Sequence, residues 1–252
     1  MALKIHWADL HIHTVLSPCA EMDMGAPDLI DRARQLDIDM VAITDHNSAD
    51  NVPAFQQASL AWPRVIAGLE VQTMEDVHIV TLFESAAVAS QFQQWLWLRM
   101  GTIPNDPDKF GMQLVIDKDN NIIGEETVLL IQGADYTTDQ VVRRVKEMGG
   151  LAILAHVDRH AYSYAESLGP IPDDLPIDAV ELSPRASQSD WALWRQLYPN
   201  RVFVRSSDSH SLDTLGKERC TPLLIDQTSY AELAMALRGE QGRRVLDPWT
   251  CQ

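Results

Sequence analysis

The sequence predicts a single α/β domain built on a largely parallel, barrel-type sheet, and three observations carry that prediction. Short β-rich runs alternate with amphipathic segments, the pattern of consecutive βα units. The 252 residues, 46% of them hydrophobic, suffice for one large core, and a single barrel of this length is common. Five of the apolar runs end in histidines or carboxylates, and in parallel α/β folds the carboxyl ends of strands are where loops aim side chains into a site.

Taken in order, strands are expected over residues 5–12, 39–44, 64–72, 151–156, 178–182, 202–206 and 222–225. Helices are expected over 27–36, with Pro27 in the first turn, over 138–148, capped by Thr138 and closed by Gly149 and Gly150, and over 229–237. One region breaks the alternation. Residues 85–100 read as a helix and 114–126 as a hairpin turning at Asp119, Asn120 and Asn121, joined by a loop over 101–111 that carries Pro104 and Pro107. The organisation expected is therefore one domain over residues 1–252 with an insertion at about 85–126, placed beside the site as a lid.

Charge narrows the partners. The 36 acidic against 20 basic residues leave a formal net charge of -16, which disfavours counterion-driven attachment to a polyphosphate backbone, so no long nucleic-acid groove is expected. Any substrate that carried phosphate would then have to be met locally, by metals or arginines. The first ten residues hold a single Lys and no unbroken apolar run, and no later stretch approaches the roughly 18 apolar residues of a membrane span. A cytoplasmic protein with no membrane partner is expected. Cys19, Cys220 and Cys251 have no C-x-x-C spacing and read as free thiols.

The chemistry lies in the histidines and carboxylates at the strand ends. In Asp9-Leu10-His11-Ile12-His13 a period of two puts Asp9, His11 and His13 on one face, where two imidazoles can share a metal. The next strand gives way abruptly to Asp45 and His46. The third ends at Glu70, and a short turn leads to His78, which can face it across a hairpin. The run 151–155 ends in His156, and the run from Val202 ends in Asp208-Ser209-His210. Six of the eight histidines thus sit at strand ends, leaving His6 and His160 without a role. Mixed nitrogen and oxygen donors suit zinc, manganese or iron better than magnesium or calcium, and a set this large exceeds what one ion needs.

In this order, His11-x-His13, Asp45-His46, His156 and Asp208-x-His210 resemble the four motifs of the polymerase and histidinol phosphatase (PHP) family, with Glu70 and His78 between the second and third. The resemblance covers nearly the whole chain. It implies a distorted seven-stranded (β/α) barrel, two or three divalent ions, and hydrolysis of phosphoester bonds. It makes His11, His13, His46, Glu70, His78, His156, Asp208 and His210 metal ligands, with Glu70 the bridge, and sets Asp45 and Asp9 beside them as orienting carboxylates. Many members carry a carboxylate just after the first motif, whereas this chain reads Ser17-Pro18-Cys19-Ala20-Glu21-Met22-Asp23. Glu21, Asp23 or Cys19 is left to fill that place.

The reaction expected is attack on phosphorus by a hydroxide shared between two ions, with Glu70 and Asp45 in the catalytic machinery and Arg159 and Arg185 clamping the phosphate. The substrate is a small phosphomonoester, a nucleotide or a short oligonucleotide. Two other readings stand beside it: an amidohydrolase, which also opens on H-x-H in a barrel strand, and a metal-binding module without activity.

Overall fold

The computed structural model describes residues 2–251. In chain order its elements are β1 (Lys4–Ile12), α1 (Ala26–Gln35), β2 (Met40–Ile43), α2 (Val52–Ala58), β3 (Arg64–Gln72), β4 (His78–Phe83), α3 (Ala86–Trp97), α4 (Pro107–Phe110), β5 (Leu114–Ile116), β6 (Ile122–Glu125), α5 (Thr138–Glu147), β7 (Leu151–Leu154), α6 (Tyr164–Leu168), β8 (Ala179–Leu182), α7 (Gln188–Leu197), β9 (Phe203–Arg205), β10 (Thr221–Ile225), α8 (Tyr230–Arg238) and β11 (Arg244–Val245). Among the described residues no helix is long and apolar enough to cross a membrane.

The main sheet has nine strands rather than seven, in the order β11-β10-β1-β2-β3-β4-β7-β8-β9. Two parallel blocks, β1-β2-β3 and β7-β8-β9, are joined through β4, which is antiparallel to both neighbours. The reason is local. The turn from β3 to β4 is far too short for the crossover that parallel pairing needs, so the two strands fold as a hairpin. At the other edge β10 runs antiparallel to β1, and β11 to β10. The sheet curls until Ile12 bridges Ser209 and the His13 N–H donates to the Ser209 carbonyl at 3.0 Å, so that it is nearly closed and barrel-like.

Apolar residues divide between its two faces. Met40, Ala42, Ile66, Val80, Leu82, Leu151 and Ile153 fill the interior and are joined by Leu233, Ala236 and Leu237 of α8. Val41, Ile43, Val65, Leu69, Ile79 and Leu154 face outward onto Leu29, Ile30, Phe55, Phe92, Val141 and Val142 of the surrounding helices. The helix ends follow ordinary capping chemistry. Helix α1 begins with Pro27 in its first turn, α8 is capped by Ser229, and α5 is capped by Thr137, one residue before the threonine expected, through a reciprocal box with Gln140.

Helix α3 packs on β3 and β4, burying Ala89, Phe92 and Leu96 in the outer core. The β5–β6 hairpin turns where expected: Asp117 Oδ1 accepts from the N–H groups of Asp119 and Asn121, and Asn120 takes a left-handed φ of 64°. It docks on the segment that follows β1. The Leu114 N–H donates to the Val15 carbonyl at 2.9 Å, and Asn51 bonds both Leu114 and Ile116.

Candidate metal centre

Glu70 is the hub. In β3, Ile66 and Glu70 share the interior face, so the inward row passes from an apolar side chain to a carboxylate as the strand reaches its carboxyl end. Buried at 1% exposure, Glu70 brings Oε1 to 2.8 Å from His78 Nδ1 and to 3.2 Å from both His11 Nε2 and His156 Nε2. Its Oε2 lies 3.0 Å from His46 Nδ1 and 3.5 Å from His13 Nε2. Burial alone would raise this carboxyl, but His78 and His11 hold it well below the ordinary carboxylate value.

Asp208 is the second carboxylate. Its Oδ1 stands 3.3 Å from His13 Nε2 and 3.5 Å from His11 Nε2, while Oδ2 accepts from Arg159 at 2.7 Å. Burial opposes its ionisation, yet His11 and His13 keep it ionised far into acid. His210 stacks on His13 with ring centroids 4.2 Å apart. All eight residues expected as ligands are thus gathered at one end of the sheet. They include three trios whose donor atoms lie within 4.8 Å of one another: His13, His46 and His210; His11, His13 and Glu70; and His46, Glu70 and His78.

The strand carrying His11 and His13 does not reach this point by simple alternation. Ala8 and Leu10 point into the interior core, and the register of β1 against β2 shifts between Asp9 and Ile12. Beyond that irregularity His11 and His13 enter the same space as Glu70, as a bulge re-aims side chains. Asp9 stays behind: its Oδ1 accepts from the Ser207 N–H at 3.0 Å, and burial raises its carboxyl to about 7.

The groups that orient the imidazoles are partly unexpected. Glu181 Oε1 lies 3.0 Å from His11 Nδ1, so the carboxylate set against that ring belongs to β8. Asp45 does not border the cavity. It is fully buried and accepts from the Thr14 N–H at 2.6 Å, from Thr14 Oγ1 at 2.7 Å and from Ser17 Oγ at 2.7 Å. With its proton directed to Asp45, Ser17 Oγ can accept from His13 Nδ1 at 3.0 Å, which turns the lone pair of Nε2 toward Glu70 and Asp208. Burial, then His210 and His46, push His13 well below its ordinary value, so the ring is neutral. A lone acid within the apolar run 179–182 was the one sequence signal for Glu181; Ser17 gave none.

Strain concentrates here. Asn47, His156, Tyr162 and Asp208 all take positive φ, between 30° and 57°, a conformation costly for non-glycine residues and typical of sites held by their surroundings. The cavity in front of the centre, about 600 Å³, is lined by ligand candidates together with Arg159, His160, Tyr162 and Arg185. No residue of 85–126 borders it, so the hairpin is not a lid over this cavity. All three candidates for the place after the first motif are exposed at the surface, but only Cys19 sets its side chain, a thiol, against His210 and His46. Burial resists its ionisation, but those two imidazoles bring it down to about 6.

A family model for the PHP domain matches residues 9–136. The chain belongs to that family. The PHP match holds His11, His13, His46, Glu70 and His78, and the fold carries His156, Asp208 and His210 to them from beyond it. No curated protein matches the sequence. Among solved structures, endonuclease Q from Pyrococcus furiosus is similar at TM-score 0.71 and 18% identity over 97% of this chain and 60% of its own, so the chain spans about three fifths of that protein. Another endonuclease Q structure, with the same TM-score, holds a 27-mer duplex with an abasic lesion at its active site. A proposed metal-dependent phosphoesterase from Bifidobacterium adolescentis matches at TM-score 0.55 and 17% identity, over 81% of this chain and 87% of its own. An amidohydrolase from Chromobacterium violaceum, solved with sulfate and without metal, matches at 0.57 and 16%, over 96% of this chain and 98% of its own. At these identities the likeness is one of fold, and the PHP domain supplies the broad class: a metal-dependent hydrolase with histidine and glutamate clusters fit for metal ions.

Proposed function

We propose that this PHP domain hydrolyses a phosphoester bond in a small phosphorylated substrate or a short oligonucleotide, at a centre of two or three divalent ions of zinc, manganese or iron. One observation carries the reading: a single buried carboxylate, Glu70, meets three imidazoles through one oxygen and two through the other. A carboxylate so divided is suited to bridge two ions. The donor set fits them. His78 Nε2 and His156 Nδ1 are buried without a hydrogen-bond partner, and six imidazoles gathered about two buried carboxylates offer the nitrogen and oxygen donors that such cations take.

His11, His13, His46, Glu70, His78, His156, Asp208 and His210 would hold the ions. When bound, such ions supply Lewis-acid polarisation of phosphoryl oxygens and ready deprotonation of an attacking water near neutral pH. The protein's own part is placement. Glu181 fixes His11 through Nδ1, Asp45 fixes His13 through Ser17, and Arg159 fixes Asp208 through Oδ2, leaving the opposite atoms free to face the centre. Arg159 and Arg185, both exposed at the rim, present planar arrays of donors to phosphate oxygens.

Amide hydrolysis is the rival chemistry, in keeping with the amidohydrolase of like fold. The two rim arginines favour a phosphoryl group instead. Endonuclease Q, captured with duplex DNA, keeps phosphodiesters within the substrate range. The test is elemental analysis of purified protein, followed by turnover of phosphomonoesters, dinucleotides and amides before and after chelation and resupply of each metal. Two to three equivalents of metal and metal-restored turnover of phosphoesters are expected. Turnover of amides alone would overturn the reading in favour of an amidohydrolase, and no turnover with any metal would leave a binding module.

A further inference from the structure

Tyr162 has no part in holding the centre, yet it lies within one ring of it. Its ring stacks on His78, with centroids 4.6 Å apart and planes 20° from parallel. His78 in turn reaches Glu70 at 2.8 Å. The Tyr162 side chain is also 46% exposed, so it runs from the wall of the centre into the same cavity that Arg159 and Arg185 line.

The backbone is built to hold it there. Tyr162 takes a φ of 57°, a conformation in which a bulky residue is a genuine outlier. Its carbonyl accepts the His78 N–H at 3.0 Å, which ties this residue to the start of β4. The loop before it is fastened as well: Ser163 Oγ donates to the Arg159 carbonyl at 2.7 Å, and Ser183 donates through N and Oγ to Asp158, each at 2.7 Å. A half-open aromatic ring set rigidly at the mouth of a polar cavity loses little freedom when something stacks on it.

The cavity brings cationic and candidate metal-ligating groups together with one half-exposed aromatic ring, and its volume lies within the ordinary range for small ligands. A phosphate with an aromatic ring a few bonds away matches both halves. We infer that Tyr162 is a stacking platform for a nucleobase, so that the substrates of this site are nucleotidyl phosphoesters in preference to alkyl or sugar phosphates. This rests on the phosphoesterase reading above and narrows it.

The test compares two phosphates that differ only by the base. Binding of adenosine 5′-monophosphate and of ribose 5-phosphate is measured by calorimetry on metal-loaded protein, for the wild type and for Tyr162→Phe, Tyr162→Leu and Tyr162→Ala, with metal content determined for each. The nucleotide should bind about ten- to a hundredfold more tightly than the sugar phosphate in the wild type and in Tyr162→Phe, as a base stacked on an aromatic ring does. That ratio should fall toward one in Tyr162→Ala and most of the way in Tyr162→Leu, which keeps bulk without a π face. Equal binding of the two ligands by the wild type would overturn the inference and leave the phosphoesterase reading standing. A ratio unchanged in Tyr162→Ala, or loss of metal on that change with the ratio intact, would make the ring a support for His78 alone. Failure of both ligands to bind, with no phosphoester turned over, would overturn both.

Discussion

Glu70 and His78 meet on the diagonal of the β3–β4 hairpin. The residue directly opposite His78 is Gln72, and the one opposite Glu70 is Val80, yet Glu70 Oε1 and His78 Nδ1 lie 2.8 Å apart. Long side chains on one face of an antiparallel pair reach across such diagonals. The hairpin expected between Glu70 and His78 is therefore what sets this carboxylate against its imidazole.

Glu70→Gln keeps the shape and loses the charge that faces five imidazoles. It should lower turnover by more than a hundredfold and strip at least one equivalent of metal, since losing only an outer partner of a ligand costs about ten- to a hundredfold. Elemental analysis beside kcat decides it. A variant with full metal content and a nearly unchanged rate would remove Glu70 from the centre.

Asp45→Asn replaces an acceptor of three hydrogen bonds with an amide that cannot serve all three donors. Destabilisation of about 1–3 kcal/mol is expected from the buried donors left unmet. The activity loss should be about ten- to a hundredfold, because His13 loses its Ser17 relay without losing its place. Denaturant melts and kinetics on the same preparation test both. A rate loss as deep as that of Glu70→Gln would mean Asp45 touches the reacting groups after all.

The β5–β6 hairpin should matter for stability and not for selectivity. Leu114 and Ile116 are buried, and none of the segment borders the cavity. Leu114→Ala should cost about 2–5 kcal/mol, as truncation of a buried leucine does. Its ratio of rates on short and long phosphodiesters should match the wild type. A widened specificity would restore the lid that the sequence suggested.

Salt dependence should be shallow. With Arg159 and Arg185 the two arginines that line the cavity among the described residues, turnover of a short substrate should fall by about tenfold or less between roughly 50 and 200 mM salt. A fall of about a thousandfold would require many more phosphate contacts and a groove elsewhere on the surface.

The clustering of the candidate ligands was legible because it is written locally. An apolar run that stops at Asp45-His46, at Glu70 or at His156 announces a strand end with chemistry on it, and six such histidines leave little to chance. Pairing was less legible. Nothing within residues 78–83 says that the strand is antiparallel; that follows from the short turn before it, and β11, the strand added beyond the expected run 222–225, emerges only from its pairing with β10. Glu181 reads as an odd acid in a buried run, and becomes meaningful only when β8 places it against His11, 170 positions away. Ser17 and Tyr162 look like ordinary loop residues until the backbone fixes them. Strict alternation also fell short, since Asp9 shares parity with His11 and His13 yet turns its carboxylate to the backbone N–H groups of Ser207 and His11.

The near closure of the sheet has a kinetic corollary. Asp9 and Ser207 meet across 198 positions of chain, and Asp208 and His210 reach His11 and His13 only once that junction has formed. Contacts of such high sequence separation form slowly, because the loop entropy must be overcome before they repay it. During synthesis, a chain extended only as far as β8 carries most of its imidazoles but not the carboxylate and histidine that complete the centre. Competence to hold the full set of ions should therefore arrive abruptly, as one of the last events of folding.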